Sequence, residues 1–187
     1  MGKIVEETRF VRVVAISGSL RRLSSNSALV AAASRLAPAG VVVSVFDSLA
    51  DLPAFNPDLD QEGTPEAVNA LRHRLNACDA VLISSPEYAH GVPGVLKNAL
   101  DWVVGSGELM DKPIALINTS ARATHAWASL FETLTVMSAR VIREASVTVP
   151  LQGRPLDGHS LVGDPGLSRT VRSALEVLAA AARERTV

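Results

Sequence analysis

Short apolar runs and amphipathic stretches alternate along the chain. Residues 10–16, FVRVVAI, are β-branched and apolar and predict a strand buried on both faces. Residues 25–37 keep Ala28, Leu29, Ala32, Ala33 and Leu36 at helical spacing. VVVSVF at 41–46 predicts a second strand. The next stretch, DSLADLPAFNPDLDQEG, holds turn residues without a lasting period and reads as a long loop over 47–63. Thr64 and Pro65 then mark a helix start, with Thr64 as cap and Pro65 in the first turn. Val68, Leu71 and Leu75 carry that helix to Cys78. AVLISS at 80–85 predicts a third strand, followed by the loop PEYAHGVP and a helix over 93–104. PIALINTS at 113–120 predicts a fourth strand, with a helix over 124–138 behind it. A fifth strand falls within ARVIREASVTVP, then a second long loop over 151–166 and a last helix over 167–184.

Strands that are apolar throughout and alternate with helices imply a parallel sheet covered on both faces. Such a chain predicts an α/β fold: a flavodoxin-like three-layer sandwich with a five-stranded parallel sheet in the order 2-1-3-4-5. A single domain over 1–187 is expected, with 1–8 a flexible N-terminal segment. Ligands of such sheets lie beyond the strand C-termini, where the winding reverses. The loops after strands one, three and four, beginning at Ser17, Ser85 and Thr119, therefore become the candidate site.

Composition narrows the function. Lys and Arg number 18 against 19 Asp and Glu, for a net charge of -1. That balance argues against broad attraction to nucleic acid or anionic lipid. No stretch has the roughly 18 uncharged apolar residues that a membrane span needs, and the N-terminus lacks a secretory pattern. One cysteine, Cys78, excludes an internal disulfide and suits a reducing cytoplasmic location. It reads as a small buried hydrophobe. His73, His125 and His159 show no metal-ligand spacing, so no metal is expected.

The first loop, Ser17 to Asn26, joins a strand to a helix and holds serines, arginines and one glycine. A helix N-terminus with hydroxyl, amide and guanidinium donors suits a phosphate. The same residues would also serve as a capped helix start with solvated arginines. Neither of the two common glycine-rich phosphate loops is present, and Asp47 at the end of the second strand reads as a loop cap. In the second loop Pro86 ends a strand, Tyr88 can flank a planar ligand, and Gly91, Pro93 and Gly94 let backbone approach closely. His90 reads first as a solvated loop histidine, with a proton donor as the alternative. Arg143 and Glu144 read as surface charges.

Together, GSLRRLSSN and PEYAHGVPGVLKNALDW resemble the two signatures of the NADPH-dependent FMN reductase family. Gly18, Ser19, Arg21, Ser24 and Asn26 match the first signature. Pro86, Glu87, Tyr88, Pro93, Gly94, Leu96, Lys97, Asn98, Ala99, Asp101 and Trp102 match the second. The family commonly has asparagine where this chain has Ala89. The resemblance implies that Ser19, Arg21, Ser24, Ser25 and Asn26 hold the FMN phosphate. Pro86, Glu87, Tyr88 and Ala89 would border the ring, and Ser120 would supply a third wall. No side chain is expected to be catalytic beyond contact from Tyr88, because the bound FMN carries the chemistry. The implied activity is hydride transfer from NADPH or NADH to a small acceptor such as a quinone, free flavin, azo dye or chromate. A flavodoxin-like electron carrier is the alternative. The family also implies a homodimer or homotetramer. Lys97, Asn98, Asp101 and Trp102 read as support for subunit packing, with Trp102 placed to meet a partner.

Overall fold

The computed structural model describes residues 9–151 and 158–185. The expected flexible segment 1–8 and the middle of the loop 151–166 lie outside the described residues. The strands are β1 (Val11–Ser17), β2 (Val41–Phe46), β3 (Ala80–Ser84), β4 (Pro113–Asn118), β5 (Arg140–Val141) and β6 (Val147–Thr148). The helices are α1 (Ser25–Arg35), α2 (Pro57–Gly63), α3 (Glu66–Ala77), α4 (Gly94–Val104), α5 (Thr124–Val136), α6 (Gly158–Val162) and α7 (Pro165–Glu184). All strand pairings in the sheet are parallel, in the order β2-β1-β3-β4-β5, and β6 also pairs with β4. The order is the expected one.

The period-two geometry of a strand sends successive side chains to opposite faces. Val11, Val13 and Ala15 of β1 pack with α1, α6 and α7, while Val14 and Ile16 pack with α3, α4 and α5. The sheet is thus the middle of three layers. β3 is buried at every position and β4 likewise, which is why both read as unbroken apolar runs.

Besides α6 and the start of α7, which fall within the stretch 151–166 read as a loop, four elements differ from the sequence expectation. The loop over 47–63 contains a single 3-10 turn, Leu49–Asp51, and the helix α2. Helix α2 has Asn56 as its side-chain cap and Pro57 in its first turn, but none of its residues is buried. Thr64 does not cap α3. It donates instead to Asp60 Oδ1 at 2.8 Å, and Pro65 precedes the first helical residue. The fifth strand is two short pieces parted by the 3-10 turn Arg143–Ala145, where the Arg143 guanidinium lies 4.2 Å from the Phe131 ring centroid.

The fourth difference concerns α4. Trp102, expected at a subunit contact, is fully buried within the chain. Its Nε1 donates to Pro53 O at 2.8 Å, and Phe55 meets its ring edge-on at 5.1 Å. Asn98 donates to the same carbonyl at 2.9 Å and accepts the Phe55 N–H at 2.8 Å. The chain after β2 folds back over α4, so these two side chains satisfy its backbone rather than facing outward. Lys97 and Asp101 pair with each other at 2.6 Å on the same helix.

Cys78 is buried as expected, and burial pushes its thiol up from the usual range. Lys112, which the sequence did not single out, is buried beside it and donates to the carbonyls of Leu75 and Cys78 at the end of α3. Burial is also the largest influence on this ammonium and lowers its pKa. Among the described residues no helix is long and apolar enough to cross a membrane.

Candidate functional site

The strand order sets the C-terminal ends of β1, β3 and β4 side by side. The loops after them therefore share one edge of the sheet. Gly18 donates its N–H to Ser84 O at 2.8 Å. A Cβ at Gly18 would come within 2.9 Å of Ser85 Oγ and 3.0 Å of Leu96 Cδ2. A side chain there would have to push Ser85 and the buried Leu96 of α4 aside, so glycine suits this close approach of the first loop to the second.

Helix α1 opens at Ser24, whose backbone is extended and whose Oγ accepts the Ser27 N–H at 3.3 Å. The Ala28 N–H bonds to the Ser24 carbonyl. The N–H groups of Ser25 and Asn26 then have no partner within the helix, at its positive end. Asn26 is 3% exposed. Its Oδ1 accepts the Ser84 hydroxyl at 2.9 Å and the Thr119 hydroxyl at 3.2 Å. Ser25 Oγ lies 3.2 Å from Thr119 Oγ1. One asparagine thus ties α1 to the ends of β3 and β4, and its amide nitrogen is left as the donor.

These groups open onto a cavity of about 260 Å³. It lies between Ser25 and Asn26 of α1, Pro86 and Glu87 of the second loop, and Ser120 and Arg122 of the third. The third loop is braced internally. Ser120 N donates to Asn118 Oδ1 at 3.0 Å, and Asn118 Nδ2 donates to Ala123 O at 3.1 Å. A second cavity of about 350 Å³ lies across the first loop, toward β2, and Ser19, Arg21, Arg22 and Asp47 line it.

The expected phosphate residues are therefore divided. Ser25 and Asn26 line the first cavity, Ser19 and Arg21 line the second, and Ser24 serves as the helix cap. Pro86, Glu87 and Ser120 join Ser25 and Asn26 at the first cavity. Arg122 supplies the cation there. It follows β4 by four residues, and its position after a strand end was the only sequence signal available.

The second loop closes on itself. Tyr88 and Gly91 exchange backbone hydrogen bonds at 3.1 and 2.9 Å, with Ala89 and His90 between them. Both central residues have positive φ, 49° and 60°. That is a primed two-residue turn, which favours glycine or asparagine. Gly91, where close backbone approach was expected, is not the residue in the left-handed region. Tyr88 and Ala89 are exposed on this turn.

Glu87 bridges the second loop to α5. Its Oε2 accepts the Ala126 N–H at 2.8 Å, supplying the cap that Ala123 at the head of α5 lacks. Its Oε1 stands 3.4 Å from His90 Nδ1, and the His90 and His125 rings meet edge-to-face at 4.3 Å. The bond from Ala126 holds the Glu87 carboxyl below the usual glutamate range, and the His125 backbone and both imidazoles act in the same direction.

The donor set fits a phosphorylated planar cofactor. Helix N–H groups, hydroxyls, an amide and a guanidinium converge on one cavity, at a strand edge where this sheet type takes its ligands. Residues 11–153 match the model of the NADPH-dependent FMN reductase family. The chain belongs to this family. It is 31% identical over 173 residues to an NAD(P)H-dependent FMN reductase of Pseudomonas aeruginosa, covering 90% of this chain and 93% of the relative. It is 40% identical over 116 residues to a quinone reductase of Escherichia coli K12, but that match spans 59% of this chain and 60% of the relative. Among solved structures it resembles FerB, a flavoenzyme NAD(P)H:(acceptor) oxidoreductase of Paracoccus denitrificans. The TM-score is 0.76 at 26% identity, over 93% of this chain and 98% of that one.

Family membership gives the turn a physical reading. The residue commonly found at position 89 in the family is asparagine, which tolerates left-handed φ better than alanine does. The backbone at Ala89 already has that conformation. An asparagine at this position would suit the backbone of the turn by itself.

Proposed function

We propose that the protein is an FMN-dependent NAD(P)H oxidoreductase. It takes hydride from NADPH or NADH and passes the electrons to a small acceptor such as a quinone, free flavin, azo dye or chromate. The observation that carries this reading is the cavity at the β1, β3 and β4 ends, whose donors match a flavin phosphate while the loop 86–91 stands at its side. Bound FMN would supply the hydride-accepting and hydride-donating ring.

The chain's own residues bind and orient. The N–H groups of Ser25 and Asn26, the Asn26 amide nitrogen, Ser120 and Arg122 would hold the phosphate end. Ser19 and Arg21 line the second cavity, across the first loop, as a second anion-binding subsite. Pro86 and Glu87 form the opposing wall, and Tyr88 stands exposed where an acceptor enters. No protein side chain needs to form a covalent bond to either substrate. Pyridine nucleotide and acceptor would occupy the same open face in turn, giving ping-pong kinetics.

Purified protein is expected to bind FMN at micromolar concentration, to keep it through gel filtration, and to bleach on anaerobic addition of NADPH or NADH. Absence of FMN binding overturns the proposal. Binding without bleaching would make the protein an electron carrier. Flavin lost on the column but turned over in solution would make FMN a diffusing substrate. Assembly as a homodimer or homotetramer belongs to the same reading. Exposed Phe55 and Val104, with Asp60, Gln61 and Asp101, line a cavity of about 250 Å³ beside α4, a mixed surface that a second copy would cover. Light scattering at assay concentration tests it. A single buried free cysteine agrees with a cytoplasmic location.

A further inference from the structure

We propose that His90 is the proton donor to the acceptor, held in place by Glu87 and His125. The inference rests on the function proposed above and adds a residue role to it. A quinone that takes up a hydride equivalent needs one further proton to leave as a neutral hydroquinone. The hydride brings two electrons and one hydrogen, and His90 brings the second hydrogen as a proton. One N–H bond of the His90 imidazolium breaks as an O–H bond of the acceptor forms, and water then returns a proton to the imidazole.

The charged groups that line the first cavity among the described residues, Arg122 and Glu87, are unsuited. Arginine does not release its proton, which removes Arg122. Glu87 is held as a carboxylate by the Ala126 N–H and so has no proton to give. Imidazole is the side chain that carries and releases a proton near neutral pH. His90 is on the loop that walls the cavity, its side chain 76% exposed, with Glu87 Oε1 3.4 Å from Nδ1. The contact at Nδ1 leaves Nε2 as the nitrogen for a substrate. Glu87 from its own loop and His125 from α5 are the titratable groups that face it. His125 stands in the first turn of α5, with its ring against that of His90.

Backbone strain points the same way. Two consecutive non-glycine residues in left-handed conformation are unfavourable, and neither Ala89 nor His90 is buried in return. Strain of this kind gathers at functional sites, where the surrounding structure over-determines it. Here the Tyr88–Gly91 backbone pair closes the turn, and Glu87 and His90 tie it to α5 through Ala126 and His125. The arrangement holds one exposed imidazole against Glu87, a residue of the cavity wall.

The test separates proton delivery from electron delivery. FMN-loaded protein is reduced anaerobically with one equivalent of NADPH, then mixed in a stopped-flow instrument with benzoquinone or with ferricyanide. Ferricyanide takes electrons and no proton. The variant is His90→Asn, because asparagine accepts the left-handed φ and carries no proton. The quinone-to-ferricyanide rate ratio is expected to fall about tenfold or more, since general acids contribute typically 10²–10⁴ and water replaces part of that. Added imidazole should restore part of the quinone rate, and His125→Asn should lower the ratio less. Flavin-free His90→Asn should bind FMN within about twofold of wild type in a fluorescence titration. An unchanged ratio, or both acceptors slowing together, overturns the proposal and leaves His90 as a prop for the turn. Wild-type protein that fails to bind FMN or to be reduced by NADPH fails the earlier reading, and this one falls with it.

Discussion

Relieving the turn at Ala89 should stabilise the protein. Ala89 has φ 49° and is exposed, so its side chain makes no packing that a substitution would lose. A non-glycine residue in the left-handed region costs roughly 1–2 kcal/mol. Ala89→Gly removes that cost but adds conformational freedom to the unfolded chain, which takes back about 0.4–1 kcal/mol. The net gain is about 0.5–1 kcal/mol. Ala89→Asn should gain a similar amount, because asparagine tolerates this φ and avoids the glycine entropy. For a domain of this size, 1 kcal/mol corresponds to about 2–4 °C in Tm. Urea denaturation with thermal melts measures both variants. The control is Ala54→Gly, an exposed position whose φ is not positive, and there the entropy term stands alone. That control should lose about 0.4–1 kcal/mol. If Ala89→Gly loses stability as the control does, position 89 is not left-handed in solution, and the account of the family asparagine fails with it.

Three other outcomes are expected. Arg122→Ala should weaken FMN binding by about 1.5–3 kcal/mol while leaving riboflavin, which lacks the phosphate, nearly unaffected; Arg21→Ala should cost less, and the reverse ranking would move the phosphate to the second cavity. Trp102→Phe loses the bond to Pro53 O, worth about 0.5–1.5 kcal/mol because Asn98 still donates to that carbonyl, and leaves a void where the larger ring was, so stability should drop by at least that much, and an unchanged urea midpoint would show the 47–56 segment does not depend on it. Glu87 has its folded pKa lowered, so its carboxylate adds stability above the unfolded glutamate pKa and that contribution disappears as pH falls through the folded value; the gap between wild type and Glu87→Gln should narrow from pH 7 toward acid, and a gap independent of pH would refute the role.

How much the sequence revealed depended on how local each cause was. The strands β1, β3 and β4 were legible because strands buried on both faces must be nearly apolar throughout, and β2 was legible because its exposed positions Val42 and Val45 are apolar and β-branched too. Helix α2 was not, since a helix that buries none of its residues has no apolar period, and only Asn56 and Pro57 marked its start. Thr64 has the composition of a cap, yet Asp60 four residues earlier takes its hydroxyl. Trp102 looked like an outward anchor because its cover, the chain at 53–55, is some fifty residues away. Glu87 is the same kind of case. Its partner, the Ala126 N–H, is 39 residues distant and belongs to an element that only the fold brings near.

The candidate site shows where motif reading stops, and strand order gives the reason. β1 has β2 on one side and β3 on the other, with β4 beyond β3. The first loop leaves β1 and must cross to enter α1. Its earlier residues, Ser19 to Arg22, stay on the side toward β2 and line the cavity there with Asp47. Its later residues, Ser25 and Asn26, arrive beside the ends of β3 and β4 and meet Ser84 and Thr119. A contiguous signature is thus split between two cavities by the sheet beneath it. The residue types announced anion binding, but the arginine that shares a cavity with Asn26 is Arg122, 96 positions later in the chain. The paired titrations of FMN and riboflavin into the two arginine variants therefore test the topology as much as the chemistry.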